Sequence, residues 1–267
     1  MTESCILLMG DLHIGRKTNS YDTNEYLRRI EVCRHNLLKV KRIVNRSHKL
    51  RELNIFMLGD IVDGEEIYRG HGYNVEKDVD ESVDIAVSSL YNFIKSLERN
   101  FRQIKVWCVR GNHGRTAGSE RSNWDKIVYK RLEDRFADTN NVEVNMHKAK
   151  NDWYCMAYVK DWAYLLTHGD AIRAYSNIPV YGMIHKAMRW KSGGIFEDFD
   201  VMCIGHFHTV LMLQHNDIML MCNGTMLSGD SYSERLGLQP VNKFIFFGAD
   251  DDRPVTWIYM IDLIEKR

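Results

Sequence analysis

Short apolar runs alternate along the first half of the chain with longer stretches in which apolar residues recur every three or four positions. The run at 5–9 reads as a buried strand. Tyr26, Ile30, Cys33, Leu37, Val40 and Val44 then fall on one stripe of an amphipathic helix. A strand at 55–58 precedes a second stripe through Val79, Val83, Ala86, Leu90, Phe93 and Leu97. A strand at 104–109 precedes a third, through Trp124, Val128, Leu132 and Phe136. Strand–helix–strand repetition of this kind implies a parallel sheet with crossover helices.

The second half reads differently. Candidate strands lie at 142–146, 154–159, 163–167, 201–204, 210–213, 218–222, 243–247 and 256–261, with one helix at 179–190. These strands predict a second, mixed sheet packed on the first with helices outside. Only three prolines occur, no linker or repeat divides the chain, and residues 1–267 are expected to form one domain.

Composition narrows the class. At 267 residues, 45% hydrophobic and 27% charged, the chain has ordinary globular chemistry. The 36 Lys and Arg balance the 36 Asp and Glu, so no basic coat suits it to packaging nucleic acid. No apolar run approaches the ~20 residues of a membrane span, and the start lacks the basic and apolar regions of a secretory signal. The six cysteines include no CxxC pair and sit mostly in apolar runs. Buried free thiols in a reducing compartment are the simplest explanation, so a cytoplasmic protein is expected.

The chemistry sits where the strands end. The first is followed by Asp11-Leu12-His13, the second by Asp60 and Asp63, the third by Asn112-His113. Later come His168-Gly169-Asp170 and Gly205-His206-Phe207-His208, each after an apolar run. Open α/β sheets bind ligands at the carboxyl ends of their strands. Carboxylates, imidazoles and one amide, without a thiolate, suit divalent metals such as manganese, iron or zinc.

The series DxH, GDxxD, GNH, HGD and GHxH, from Asp11 to His208, resembles the calcineurin-like metallophosphoesterase superfamily. The resemblance implies an α/β/β/α sandwich of two mixed sheets flanked by helices, with two divalent ions at its edge. Manganese is the first choice, and iron, zinc and magnesium are alternatives. It assigns Asp11, His13 and His208 to one ion and Asn112, His168 and His206 to the other, with Asp60 bridging both. His113 would be the general acid and Asp63 the residue that orients it. Two such ions can share a hydroxide as nucleophile and clamp the phosphate oxygens. The chain departs from the pattern after Asn112-His113, where many relatives have Glu or Asp and this sequence has Gly114.

The opening DLHIGR and the GHFH block are most similar to the DNA-repair exonuclease branch, whose nuclease subunits partner SMC-like ATPases. DNA is therefore the expected substrate, with such an ATPase or a homo-oligomer supplying grip to a bare catalytic core and no membrane involved. A small-molecule phosphodiesterase acting on cyclic nucleotides or nucleotide conjugates is the alternative. A phosphoprotein phosphatase fits less well, because Gly64 stands where those enzymes carry Arg after the second aspartate. An inactive scaffold would be expected to have lost ligands, and none is missing.

Arg16, Arg110 and Arg115 flank the metal blocks as candidate forks for phosphate, or else as solvated surface arginines. Tyr232 and Arg235, in the turn-rich stretch 222–240, are candidate substrate contacts. The segment 65–74, with Tyr68, Arg69, His71 and Tyr73, could stack a base but has the composition of a plain loop. The basic cluster at 39–51 reads as a solvated helix face.

Overall fold

Strand β1 (Thr2–Met9) faces two different cores. Cys5, Leu7 and Met9 point to one and Ile6 and Leu8 to the other, all fully buried, as the two-residue period of a strand requires. The structure is a computed structural model that describes residues 2–265 except 66–73, 117–118, 146–152, 177, 195–196, 230–236 and 238. After β1 come α1 (Thr23–Val44), β2 (Lys49–Met57), α2 (Val79–Leu97) and β3 (Gln103–Cys108). A short hairpin of β4 (Arg115–Thr116) and β5 (Ser119–Asn123) leads into α3 (Trp124–Phe136) and β6 (Val142–Asn145). Then follow β7 (Tyr154–Val159), β8 (Trp162–Thr167), α4 (Val180–Ser192), β9 (Val201–Ile204) and β10 (Leu211–His215). Strands β11 (Ile218–Cys222), β12 (Lys243–Ala249) and β13 (Ile258–Asp262) complete the described elements.

The first sheet has the order β13-β12-β1-β2-β3-β6, and the second has β10-β11-β9-β8-β7. Strands β1, β2, β3 and β6 are mutually parallel, while β12 and β13 run antiparallel on the far side of β1. In the second sheet β8, β9 and β11 are parallel, with antiparallel β7 and β10 at the edges. Both sheets are thus mixed. The α/β/β/α architecture is present, but sheet membership differs from the expectation. Strands β6, β12 and β13 belong to the first sheet, so the halves of the chain are not the two sheets. Periodicity shows that a strand is buried, not which neighbour it pairs with. Strand β12 is buried on both faces, Phe244 and Phe246 toward the helices and Ile245 and Phe247 toward the second sheet.

Helices α1, α2 and α3 cover the outer face of the first sheet through Ile30, Leu37, Leu90, Phe93 and Leu132. Asp22, Asp78 and Asn123 cap their first turns by accepting from backbone N–H groups. Helix α4 covers the second sheet with Met183, Ala187 and Trp190. Between the sheets, Phe56 and Tyr164 meet edge to face at 5.5 Å. Each such fully buried side chain contributes about 1.5–3 kcal/mol. Strand β2 begins at Lys49, well before the apolar run that marks it. Its first residues alternate exposed and buried, so Lys49 and Arg51 of the basic cluster stand on a strand, not on the helix. The cysteines are all buried and free. Among the described residues, no helix is long and apolar enough to cross a membrane.

Candidate metal centre

The loops that leave β1, β2 and β3 are laced together by their own backbones. Leu12 and His13 both donate N–H bonds to the Asp60 carbonyl, at 2.8 and 3.0 Å, and Asp63 donates to Ile14 at 2.9 Å. Gly64 donates to the His113 carbonyl at 2.9 Å. From the second sheet, the His206 N–H reaches across to the Asp11 carboxylate at 3.0 Å. The carboxyl ends of β1, β2, β3, β8 and β9 therefore open on one edge. Asp11, His13, Asp60, His206 and His208 all have positive φ, between 49° and 68°. Non-glycine residues adopt that conformation rarely, at a cost on the order of 1 kcal/mol or more each. Five of the seven expected ligands share it.

Their side chains meet in two groups. In one, His208 Nε2 lies 3.3 Å from Asp11 Oδ1 and 3.1 Å from His13 Nε2. In the other, His168 Nε2 lies 3.1 Å from Asp60 Oδ2, 3.0 Å from Asn112 Oδ1 and 3.2 Å from His206 Nδ1. Asp60 Oδ2 also stands 3.9 Å from His13 Nε2, so one carboxylate faces both groups. His13, Asp60 and His113 form a further overlapping cluster, but His113 Nδ1 is tied to Asp63 Oδ1 at 2.5 Å.

These donors fit cations. His168 donates its Nδ1–H to the Leu58 carbonyl at 2.7 Å, which turns Nε2 toward Asp60, Asn112 and His206. A ring nitrogen bonded to a carbonyl while its partner nitrogen faces the ion is the usual outer support of a metal-ligating histidine. Donor atoms about 3 Å apart match ligands around an ion held at ~2.0–2.2 Å. The electrostatics agree. Burial disfavours charge on His168, yet Asp60 and Asp11 raise its pKa to about 10. Burial likewise opposes ionisation of Asp60, but His168, His113 and His13 hold its carboxyl well below the usual range. The centre attracts positive charge. His206, by contrast, falls to about 4, chiefly through burial and then through the neighbouring His168, and so offers a neutral imidazole.

The model of the calcineurin-like phosphoesterases matches residues 6–210. The chain belongs to that family. Among curated proteins, none matches it. Among solved structures, Entamoeba histolytica Vps29 in complex with zinc is 11% identical, with 97% of this chain and 99% of that one covered at a TM-score of 0.44. A novel archaeal phosphodiesterase is 14% identical over 96% and 98% of the two chains, at 0.39. A hypothetical protein from Pyrococcus horikoshii is 11% identical over 97% and 87%, at 0.49.

In this member of the family the space beside Gly114 is occupied. A Cβ there would lie 2.6 Å from Asn123 Oδ1 and 3.1 Å from Asp125 Cγ, so the acidic residue that many relatives place at this point has no room. Asp125 brings a carboxylate to the same place. It is fully buried and accepts N–H bonds from Asp60 at 2.9 Å, Ile61 at 3.0 Å, Val62 at 3.3 Å and Gly111 at 2.8 Å. It thereby clamps the loops after β2 and β3. Burial and the charge of Asp60 raise its pKa to about 6. Asn123 supports it, accepting from Asp125 N–H at 2.9 Å and donating to the Gly111 carbonyl at 2.8 Å. Neither residue stood out in the sequence. The local signal, Asn before an acidic first helical turn, marks only a helix start.

The flanking arginines diverge. Arg16 is buried, with its guanidinium 3.5 Å from Asp63 Oδ2, which binds it to the His113–Asp63 pair and not to the surface. Arg110 is half-buried and Arg115 exposed on the β4–β5 hairpin. Tyr232 and Arg235 lie outside the described residues, as do Tyr68, Arg69, His71 and Tyr73.

Proposed function

We propose that the chain is a two-metal phosphodiesterase that hydrolyses DNA, and that Asp60 shared between two donor groups is the observation that carries this assignment. Asp11, His13 and His208 would hold one ion and Asn112, His168 and His206 the other, with Asp60 between. Bound there, divalent ions supply a nucleophile at neutral pH and charge stabilisation for the phosphoryl oxygens. Everything else is the work of the chain. Asp63 fixes His113 through Nδ1, so Nε2 is the atom from which a proton passes to the departing oxygen. Burial disfavours the imidazolium, but Asp60 and Asp63 outweigh it and raise the His113 pKa above its ordinary value. Buried Arg16 backs the same aspartate from its far oxygen.

DNA is chosen for the DLHIGR and GHFH blocks. The balanced net charge favours the second reading, a diesterase for cyclic nucleotides or nucleotide conjugates. A panel with added manganese separates them: linear and circular DNA, RNA, cyclic nucleotides, a generic diester and a monoester. DNA cleavage is the expected result. Hydrolysis of small diesters alone selects the second reading, and hydrolysis of the monoester alone removes both.

A further inference from the structure

The segment that leads from His168 into α4 carries chemistry that the metal centre does not use. Between Asp170 and Glu197 there is no acidic residue, yet Arg173, Lys186, Arg189 and Lys191 fall there. Lys191 is paired with Asp198 at 2.9 Å and Asp217 at 3.0 Å. Arg173 and Arg189 are exposed, and among the described residues neither they nor Lys186 has an acidic partner within salt-bridge distance. On the same surface Tyr175 is 87% exposed, Tyr181 78% and Ile178 59%. Tyr175 and Tyr181 are the two most exposed large hydrophobic side chains among the described residues.

The backbone that carries these side chains is held in place. Tyr175 and Ile178 exchange backbone hydrogen bonds at 3.2 and 2.9 Å across a tight turn. A Cβ at Gly182 would fall 1.9 Å from the Arg173 carbonyl, so the first turn of α4 lies directly on Arg173. Tyr181 stacks on His185, their ring centroids 5.9 Å apart and 15° from parallel. The spacing of four from Tyr181 to His185 to Arg189 makes one exposed stripe. Arg173 is only five residues beyond His168, which at full extension is no more than about 17 Å. Stacked nucleotides advance ~3.4 Å each, so Arg173, at the near end of this surface, lies within a handful of nucleotides of His168.

We propose that Arg173, Tyr175, Tyr181 and Arg189 form a docking platform for single-stranded DNA on the approach to the metal centre. It rests on the assignment of the chain as a DNA diesterase and names the strand form which that site receives. Unpaired bases have free faces to stack on tyrosine, and the phosphates between them meet cations that, among the described residues, no carboxylate pairs. A protein partner fits less well, because an apolar interface would bury those cations uncompensated.

The test uses the full-length protein with manganese and a fluorescent, cleavage-resistant phosphorothioate oligothymidylate. Tyr175→Ala with Tyr181→Ala is expected to weaken binding about tenfold or more. Arg173→Gln with Arg189→Gln is expected to flatten the dependence of binding on salt. Both double variants are expected to hydrolyse a generic small diester as the parent does, which shows that they fold. Unchanged affinity in both overturns the platform, and so does a parent that does not bind the oligonucleotide. Loss of a parental dimer in place of DNA binding also overturns it and assigns the face to a second copy of the chain. DNA cleavage by the parent together with unchanged binding by the variants defeats the platform alone. Binding by the parent without DNA cleavage defeats the proposed reaction and leaves the platform standing.

Discussion

The metal edge and the α4 face handle charge in opposite ways. At the edge, Asp11, His13, Asp60, Asp63 and His168 are almost wholly buried, and each is fixed by a partner from a distant part of the sequence. On the α4 face, Arg173 and Arg189 stand in water beside Tyr175 and Tyr181, within one short stretch of chain. Chemistry demands donors aligned to a fraction of an ångström, and burial with cross-bracing supplies that alignment. Capture of a flexible polymer needs only charge and flat surface, which a local segment provides. Loss at the edge should therefore abolish turnover through geometry, whereas loss at the face should weaken capture and leave chemistry intact.

The largest effects fall on Asp60 and His113, and they should differ in kind. Asp60→Asn removes the carboxylate that faces both groups, so bound manganese should fall together with activity, the latter by roughly a thousandfold or more. His113→Ala removes a group placed to move a proton, so metal content should stay while turnover drops ~10²–10⁴-fold. Metal analysis of the purified variants beside their diesterase rates separates the two. Equal loss of metal in both would show that His113 is a ligand and that its bond to Asp63 has been misjudged.

Asp125 is the next step down, and it tests whether bracing makes the edge. Asp125→Ala leaves four buried N–H groups without an acceptor, at about 1–3 kcal/mol for each that water does not reach. The variant should melt earlier in urea and bind manganese roughly 10–100-fold more weakly. Asp125→Asn keeps one carbonyl oxygen and should recover part of both losses. A variant that loses stability but keeps metal affinity would make Asp125 a fold residue only.

The contrast also explains what could be read in advance. Helices α2 and α3 begin and end where their apolar stripes do, and Asp11, Asp60, Asn112 and His206 were visible as polar residues ending strand-like runs. Those signals are local. Asp125 was not visible, because its partners Asp60, Ile61 and Val62 lie some 65 residues upstream, and its helical context gives it no mark. The same holds for β12, whose Phe-rich run declares a buried strand and not its place beside β1. The β4–β5 hairpin has little apolar content, so periodicity passes it by, although Gly114, at its entry, already showed a departure. The inward turn of Arg16 toward Asp63 depends on contacts that no local spacing encodes.

The smallest expected effect concerns a third treatment of a cation, the buried Arg29 of α1. Its guanidinium donates to the Met226 carbonyl and to Ser228 Oγ, and Thr225 in the same segment donates to the Asp11 carbonyl at 2.7 Å. Arg29 thus backs the metal edge from behind β1, and Glu25 supplies its counter-charge at 2.6 Å. The bond from Arg28, then that from Arg29, holds the Glu25 carboxyl at about 2, against an ordinary value of 4.5. A carboxyl depressed on folding adds stability at pH values above its unfolded pKa and loses it as pH falls through the folded one. The contribution is therefore full above about 4.5 and gone near 2. Solvent screening of this partly exposed group keeps it on the order of 1 kcal/mol. Glu25→Gln should lower the urea midpoint at neutral pH, and the gap from the parent should close as pH falls across that window. A gap constant with pH would mean that Glu25 acts through packing alone, and that Arg29 keeps its place without a counter-ion.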